Sequence, residues 1–110
     1  MLTTPLDRTA FEMSLATDRL VVVVIGAKWS RQSCLMMPMW EDVSDKYSGR
    51  VNFMTIDVDS AYGGDLCANY DVMTVPAMLL FRDGKEIDRL VGMSHDMPEY
   101  VSLIEQHLQA

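Results

Sequence analysis

The sequence predicts an α/β fold of three layers, α/β/α, around a mixed central sheet of four to five strands, and three observations carry that prediction. Apolar runs of strand length alternate with stretches of helical periodicity along the whole chain. The run Leu20 to Ile25 is almost entirely β-branched with no polar alternation, which marks a strand covered on both faces. Asp83-Gly84 separates two further apolar runs, a hairpin signal that adds antiparallel strands to the same sheet. With 110 residues the chain has room for one core, so residues 1–110 are read as a single domain.

Each element has its own local reason. A short stretch at Leu2 to Leu6 is a weak strand candidate. Asp7 caps a helix through Ala16 that turns Phe11, Leu15 and Met13 inward at helical spacing. Arg19 to Ala27 forms the covered strand. Ser30 or Ser33 opens a helix running to Ser48, where Gly49 stops it, and Pro38 inside it removes a hydrogen bond and crowds the preceding turn. Val51 to Asp57 is a strand, and Asp65 to Tyr70 a short helix after Gly63-Gly64. Ala77 to Arg82 and Glu86 to Val91 are the hairpin strands. The last helix begins near Asp96 with Pro98 in its first turn, and buries Tyr100, Val101, Leu103, Ile104 and Leu108. The strand–helix–strand pairs must cross over right-handedly.

Charge and composition exclude several classes of function. A net charge of -7 without a basic cluster repels phosphate backbones and anionic lipid, so neither nucleic acid nor a membrane surface is an expected partner. The longest apolar run, Leu20 to Gly26, is far short of the roughly 18 residues a bilayer requires. Met1 to Asp7 show no basic segment followed by a long apolar one, so no secretory signal is read there. The only cysteines, Cys34 and Cys67, suit neither a disulfide framework nor a zinc site, and a cytoplasmic, reducing setting is expected. No metal or other cofactor is implied.

Several residues resemble the thioredoxin family at matching intervals, and the resemblance spans the chain after about Leu6. Ala27-Lys28-Trp29 stands where the family leads into its active site, and Pro38 follows Trp29 by nine residues as the family's helix proline does. Asp59 closes the second strand in the family manner. Thr74-Val75-Pro76 before Ala77-Met78-Leu79-Leu80-Phe81 looks like the family's cis-proline and its strand. Asp83-Gly84-Lys85 is similar to its hairpin turn, and Val91-Gly92 to the loop facing its active site. The resemblance implies the thioredoxin fold, thiol–disulfide exchange as the family activity, and a cis peptide bond at Val75-Pro76.

At the chemical centre the chain departs from that pattern. Counted from Trp29 and from Pro38 alike, the family's Cys-x-x-Cys falls on Ser30-Arg31-Gln32-Ser33, so both sulfurs are absent. Exchange needs one thiolate to attack and a second thiol to resolve the mixed disulfide, and a hydroxyl does neither. The buried acid that the resemblance implies falls on Val24, and its partner lysine on Thr55. Burial penalises a charged carboxylate, so valine is the more stable choice where redox work has ceased. These further departures argue against an engineered Cys-to-Ser form of an active thioredoxin, in which acid, lysine and the residues between the cysteines would remain.

Four groups of residues remain as candidates. Cys34, on the first turn of the helix, is the one candidate thiol for a monothiol oxidoreductase, with Arg31 or Lys28 near it; one step along the helix turns it about 100° from the lost resolving position. Cys67 reads as a small core hydrophobe. Ser30 and Ser33 read as helix caps rather than nucleophiles, since a serine nucleophile needs a base and only His95 follows the Gly92 loop. Asp57 and Asp59 alternate at a strand end and read as solvated carboxylates on one face.

The resemblance also implies a client groove, here Trp29, Val58, Thr74, Val75, Pro76, Val91, Gly92 and Met93, with Met73 beside it. The residue before a cis-proline offers free backbone groups to an extended peptide. Met36, Met37 and Met39 give adaptable packing suited to such a surface, whereas Met13, Met54 and Met78 read as core. The expected function is therefore a dithiol-less protein that holds a protein or peptide partner without covalent capture; the alternative is a thiol–disulfide oxidoreductase working through Cys34.

Overall fold

A computed structural model describes residues 2–92 and 96–108. The elements follow in the order β1 (Leu2–Thr3), α1 (Arg8–Leu15), β2 (Leu20–Gly26), α2 (Arg31–Lys46), β3 (Val51–Asp57), α3 (Gly63–Asn69), β4 (Ala77–Arg82), β5 (Lys85–Val91) and α4 (Met97–Leu108). The five strands lie in the order β1-β3-β2-β4-β5, parallel from β1 to β2 and antiparallel from β2 to β5. This is the mixed sheet that the sequence predicts. β1 is only two residues long, against the five suggested by the weak candidate at Leu2 to Leu6, and α3 begins two residues earlier than expected.

β2 is central because it can be. Leu20 to Ile25 are each at most 4% exposed, and alternation along the strand deals them to two cores. Leu20, Val22 and Val24 pack with Met36, Trp40, Phe53, Tyr100 and Ile104 on the face covered by α2 and α4. Val21, Val23 and Ile25 pack with Phe11, Leu15, Leu66 and Phe81 on the face covered by α1 and α3. Fully burying one such side chain is worth roughly 1.5–3 kcal/mol, so a polar residue at any of these six positions would cost a large share of the stability.

Local chemistry sets the boundaries. The Asp7 carboxylate accepts from the Ala10 amide and starts α1. Asp96 and Glu99 satisfy each other's backbone N–H groups at the start of α4, a reciprocal capping box. Asp83 and Gly84 both sit at positive φ, 55° and 78°, which the tight turn between β4 and β5 requires and which glycine adopts without a Cβ clash. α2 runs through Pro38, whose ring is exposed.

Two assignments of methionines are corrected. Met13 is 72% exposed, because Phe11 and Leu15 already define the inward stripe of α1 and Met13 lies between them on the outer side. Met36 is buried at 3% within the core of α2 and α4 and is not part of a surface, while Met39 is exposed. Met54 and Met78 are core residues as expected.

Candidate functional site

The register of the sheet assembles the site. Gly26 of β2 lies opposite Asp57 of β3, Ile25 opposite Ala77 of β4, and Ala77 opposite Val91 of β5. The loops that leave these strand ends therefore gather at one edge, beyond the carboxyl ends of the parallel strands, where open α/β sheets place their ligands. The Val58 amide donates to Gly26 O at 3.0 Å and the Gly92 amide to Pro76 O at 3.0 Å, which locks neighbouring loops together. The Tyr100 hydroxyl, from α4, donates to Gly92 O at 3.3 Å. Met93 and His95 lie outside the described residues.

The two serines at the positions where the resemblance implies cysteines have different structural tasks. Ser30 is the N-cap of α2, with extended backbone, and its Oγ accepts from the Ser33 amide at 3.3 Å. Ser33 is 7% exposed, faces Gly26, and its Oγ has no hydrogen-bond partner among the described residues. Arg31 is exposed and Gln32 half-buried. Neither hydroxyl meets a histidine among the described residues, since His107 pairs with Asp88 on β5 at 2.9 Å. Among the described residues the pair thus has no histidine to make it nucleophilic; His95 lies outside them.

Cys34 is exposed, and its thiol donates to Lys28 O at 3.4 Å and, more weakly, toward Ala27 O at 3.9 Å. The sulfur turns back toward the carbonyl groups that precede the helix. Cys67 is half-buried against the α1 and α3 core, and burial pushes its thiol above the usual range. Both thiols are free.

Trp29 is 70% exposed, and it is held there: its indole N–H donates to Asp59 Oδ2 at 2.9 Å. Asp59 is exposed, as the reading of a solvated carboxylate expects, but it lies beyond the end of β3 and so does not share a strand face with Asp57. β3 ends at Asp57, whose Oδ1 accepts from the Asp59 amide and turns the chain, and Asp59 then reaches across to the tryptophan. Together the two acids position the ring.

The Val75-Pro76 bond is cis. Thr74 and Met73 are exposed, Val75 is half-buried against the second core, and among the described residues neither the N–H nor the C=O of Val75 is hydrogen-bonded. The loop that carries them is anchored from β5. Arg89 forms a bidentate pair with Glu86 and also donates to Tyr70 O at 2.6 Å and Asp71 O at 3.2 Å. The Glu86 carboxylate holds the Arg89 guanidinium even more firmly protonated than usual. Asp59 and Arg89 were not singled out by sequence reasoning as positioning residues, because the groups they position, Trp29 and the Tyr70 and Asp71 carbonyls, lie far from them in sequence.

Val24 and Thr55, at the positions implied for the family's acid and lysine, are register partners on β2 and β3. Beside them a cavity of about 190 Å³ opens under the first turns of α2, lined also by Ser33, Met37, Trp40 and Pro76. Val24 and Thr55 carry no charge where the family pattern implies an ion pair, and the charged residues that line the space are Lys28 and Asp57.

A mixed five-stranded sheet with this order, a helix opening at the edge where a cis-proline loop stands, and a tryptophan before that helix define a thioredoxin fold. The Thioredoxin family model matches residues 3–105, and the chain belongs to the thioredoxin family. Among its relatives, Thioredoxin-1 of Saccharomyces cerevisiae is 37% identical over 82 residues, covering 74% of this chain and 77% of that protein. Thioredoxin H7 of Arabidopsis thaliana is 34% identical over 100 residues, covering 91% of this chain and 74% of that protein. Among solved structures, the thioredoxin of Malassezia sympodialis superposes with a TM-score of 0.86 at 24% identity, over 97% of this chain and 93% of the other. That of Fasciola hepatica gives 0.85 at 25% identity, over 96% and 98%.

Proposed function

We propose that this member of the thioredoxin family binds an extended segment of a protein partner non-covalently at the Trp29 and Val75-Pro76 edge and carries out no dithiol exchange. One observation carries the reading: the two positions that need sulfur are occupied by a helix cap and a buried hydroxyl, while the surface around them keeps an exposed tryptophan and backbone groups of Val75 that are unpaired among the described residues. An extended peptide laid against Val75 would gain main-chain hydrogen bonds there, and Trp29 offers a flat apolar contact beside it. Asp59 orients that ring and Arg89 steadies the loop, so binding would meet a surface already arranged. The setting we assign is the reducing cytoplasm, in which Cys34 and Cys67 remain thiols.

The exposure of Cys34 favours a second reading as an oxidoreductase. In it the Cys34 thiolate attacks a substrate disulfide, one substrate thiolate leaves, and an external thiol such as glutathione attacks the mixed disulfide and frees Cys34, its own sulfur ending in a new disulfide. Reduction of insulin by dithiothreitol separates the two. The first reading expects turnover equal to the dithiothreitol blank; turnover above it that disappears in Cys34→Ala overturns that reading in favour of the second. Pull-down followed by mass spectrometry, comparing the unaltered chain with folded Trp29→Ala, should lose its partners in the variant.

A further inference from the structure

The exposed ring of Trp29 has a carboxylate fixed at its rim. The indole N–H donates to Asp59 Oδ2 at 2.9 Å, which holds the ring in place and sets a negative charge beside it. The chain supplies no counterion for that charge: among the described residues the Asp59 carboxylate accepts only from the neutral indole, and the Asp57 carboxylate only from the Asp59 amide. Nor do the chain's own cations cover the ring. Lys28 and Arg31 flank Trp29 in sequence, yet among the described residues the cations that lie over an aromatic ring are Lys46 and Arg50, both on Tyr47. Lys28 turns instead to line the cavity with Asp57, and Arg31 is exposed at the start of α2.

The face of an indole is the negative side of its quadrupole and attracts a cation stacked on it. A carboxylate that accepts from the indole N–H polarises the ring further in that sense. A cation laid on Trp29 therefore meets an electron-rich face and, at its rim, Asp59 Oδ1, which accepts no hydrogen bond among the described residues. Guanidinium suits both contacts: it is planar, weakly hydrated and forked, so it stacks on a ring while directing N–H groups sideways to a carboxylate, whereas ammonium is a compact, strongly hydrated point charge. The surrounding charge has the same sign. Asp57, Asp59 and Asp65, from the end of β3 to the first turn of α3, outnumber Lys28 and Arg31, in a chain of net charge -7. On the reading that a partner segment docks at this edge, we infer that the segment carries an arginine whose guanidinium stacks on Trp29 and bonds to Asp59.

Selection of a random peptide library on the immobilised full chain needs no known partner. The selected peptides should carry arginine at about threefold its starting frequency or more. Citrulline in place of that arginine, which keeps its shape and removes its charge, should weaken a synthesised winner about tenfold, the combined loss of a cation–π contact and a charge-assisted hydrogen bond. Asp59→Asn keeps an oxygen for the indole N–H but removes the charge, and should bring the two peptides within about threefold of each other. Trp29→Leu removes the ring's quadrupole and should do the same; it serves alone if Asp59→Asn loses its fold. Asp42→Asn, which removes an exposed acid from α2, should leave the tenfold preference intact. Selected peptides without an arginine bias, or equal binding of the arginine and citrulline forms, overturn the inference and leave the docking reading standing. So does a preference that survives Asp59→Asn in full or falls equally in Asp42→Asn, as for attraction to the overall charge. A library that yields no binding peptide overturns both.

Discussion

Ser33→Ala should stabilise the protein, although it alters one of the two residues at the centre of the site. The hydroxyl is buried, unpaired among the described residues, and pressed against Gly26, where an added Cβ would lie 3.0 Å from Ser33 Cβ. Removing an unsatisfied buried hydroxyl recovers about 1–3 kcal/mol of desolvation, and alanine adds about 0.5 kcal/mol of helix propensity. Against this stands the small loss of the oxygen's packing contacts. The net expectation is about 1–2 kcal/mol of added stability, or several degrees in Tm for a domain of this size. Ser30→Ala should act in the opposite sense, costing about 1 kcal/mol, because the Ser33 amide loses the oxygen that caps it. Urea unfolding read by circular dichroism gives both numbers as shifts in midpoint at unchanged slope. A Ser33→Ala variant destabilised by about 1 kcal/mol or more would refute the reasoning, since it would mean that the hydroxyl is bonded in solution.

Three further expectations follow from the same geometry. A Cβ at Gly63 would lie 2.0 Å from Asp57 O, so Gly63→Ala must displace backbone and should cost about 2 kcal/mol or more in urea unfolding. Burial, and then the hydrogen bond to Glu105, push the Tyr47 phenol from 10.0 up to about 12, so the folded state resists its ionisation. That contribution is complete below pH 10 and is lost as pH rises through 12, by up to about 1.4 kcal/mol per pH unit; alkaline unfolding of Tyr47→Phe should lack this slope. The hydrogen bond from His107 holds the Asp88 carboxyl below the ordinary 3.8, giving stability that is present above pH 3.8 and lost as pH falls below it. The carboxylate is partly exposed, so solvent screening limits the effect to under about 1 kcal/mol, and acid melts of Asp88→Asn should be flatter by no more than that.

Much of the fold was legible because its signals are local. The β-branched run of β2, the Asp83-Gly84 turn and the Asp7 cap each act within a few residues, so periodicity and cap chemistry found them without knowledge of the tertiary structure. Boundaries slipped where the local signal is weak: α3 starts at Gly63, whose close approach to Asp57 O is a tertiary demand that favours glycine there despite its poor helix propensity. Met13 was misplaced because methionine is apolar but adaptable, and a spacing of two residues from both Phe11 and Leu15 puts it off their stripe.

Ser30 and Ser33 were legible as the residues standing where the resemblance implies cysteines, by counting from Trp29 and Pro38. Their roles were not, because a cap and an orphan hydroxyl differ only in what surrounds them. By itself, then, the sequence determined the strand and helix segments and the serines at positions 30 and 33, all properties of residues near one another along the chain. Only the tertiary structure decided that Asp59 holds Trp29, that Arg89 anchors the loop before Pro76, and that Val24 and Thr55 border a cavity with Trp40. Those contacts join residues from separate strands and helices, and their energy depends on distances and burial that exist only once the layers have packed.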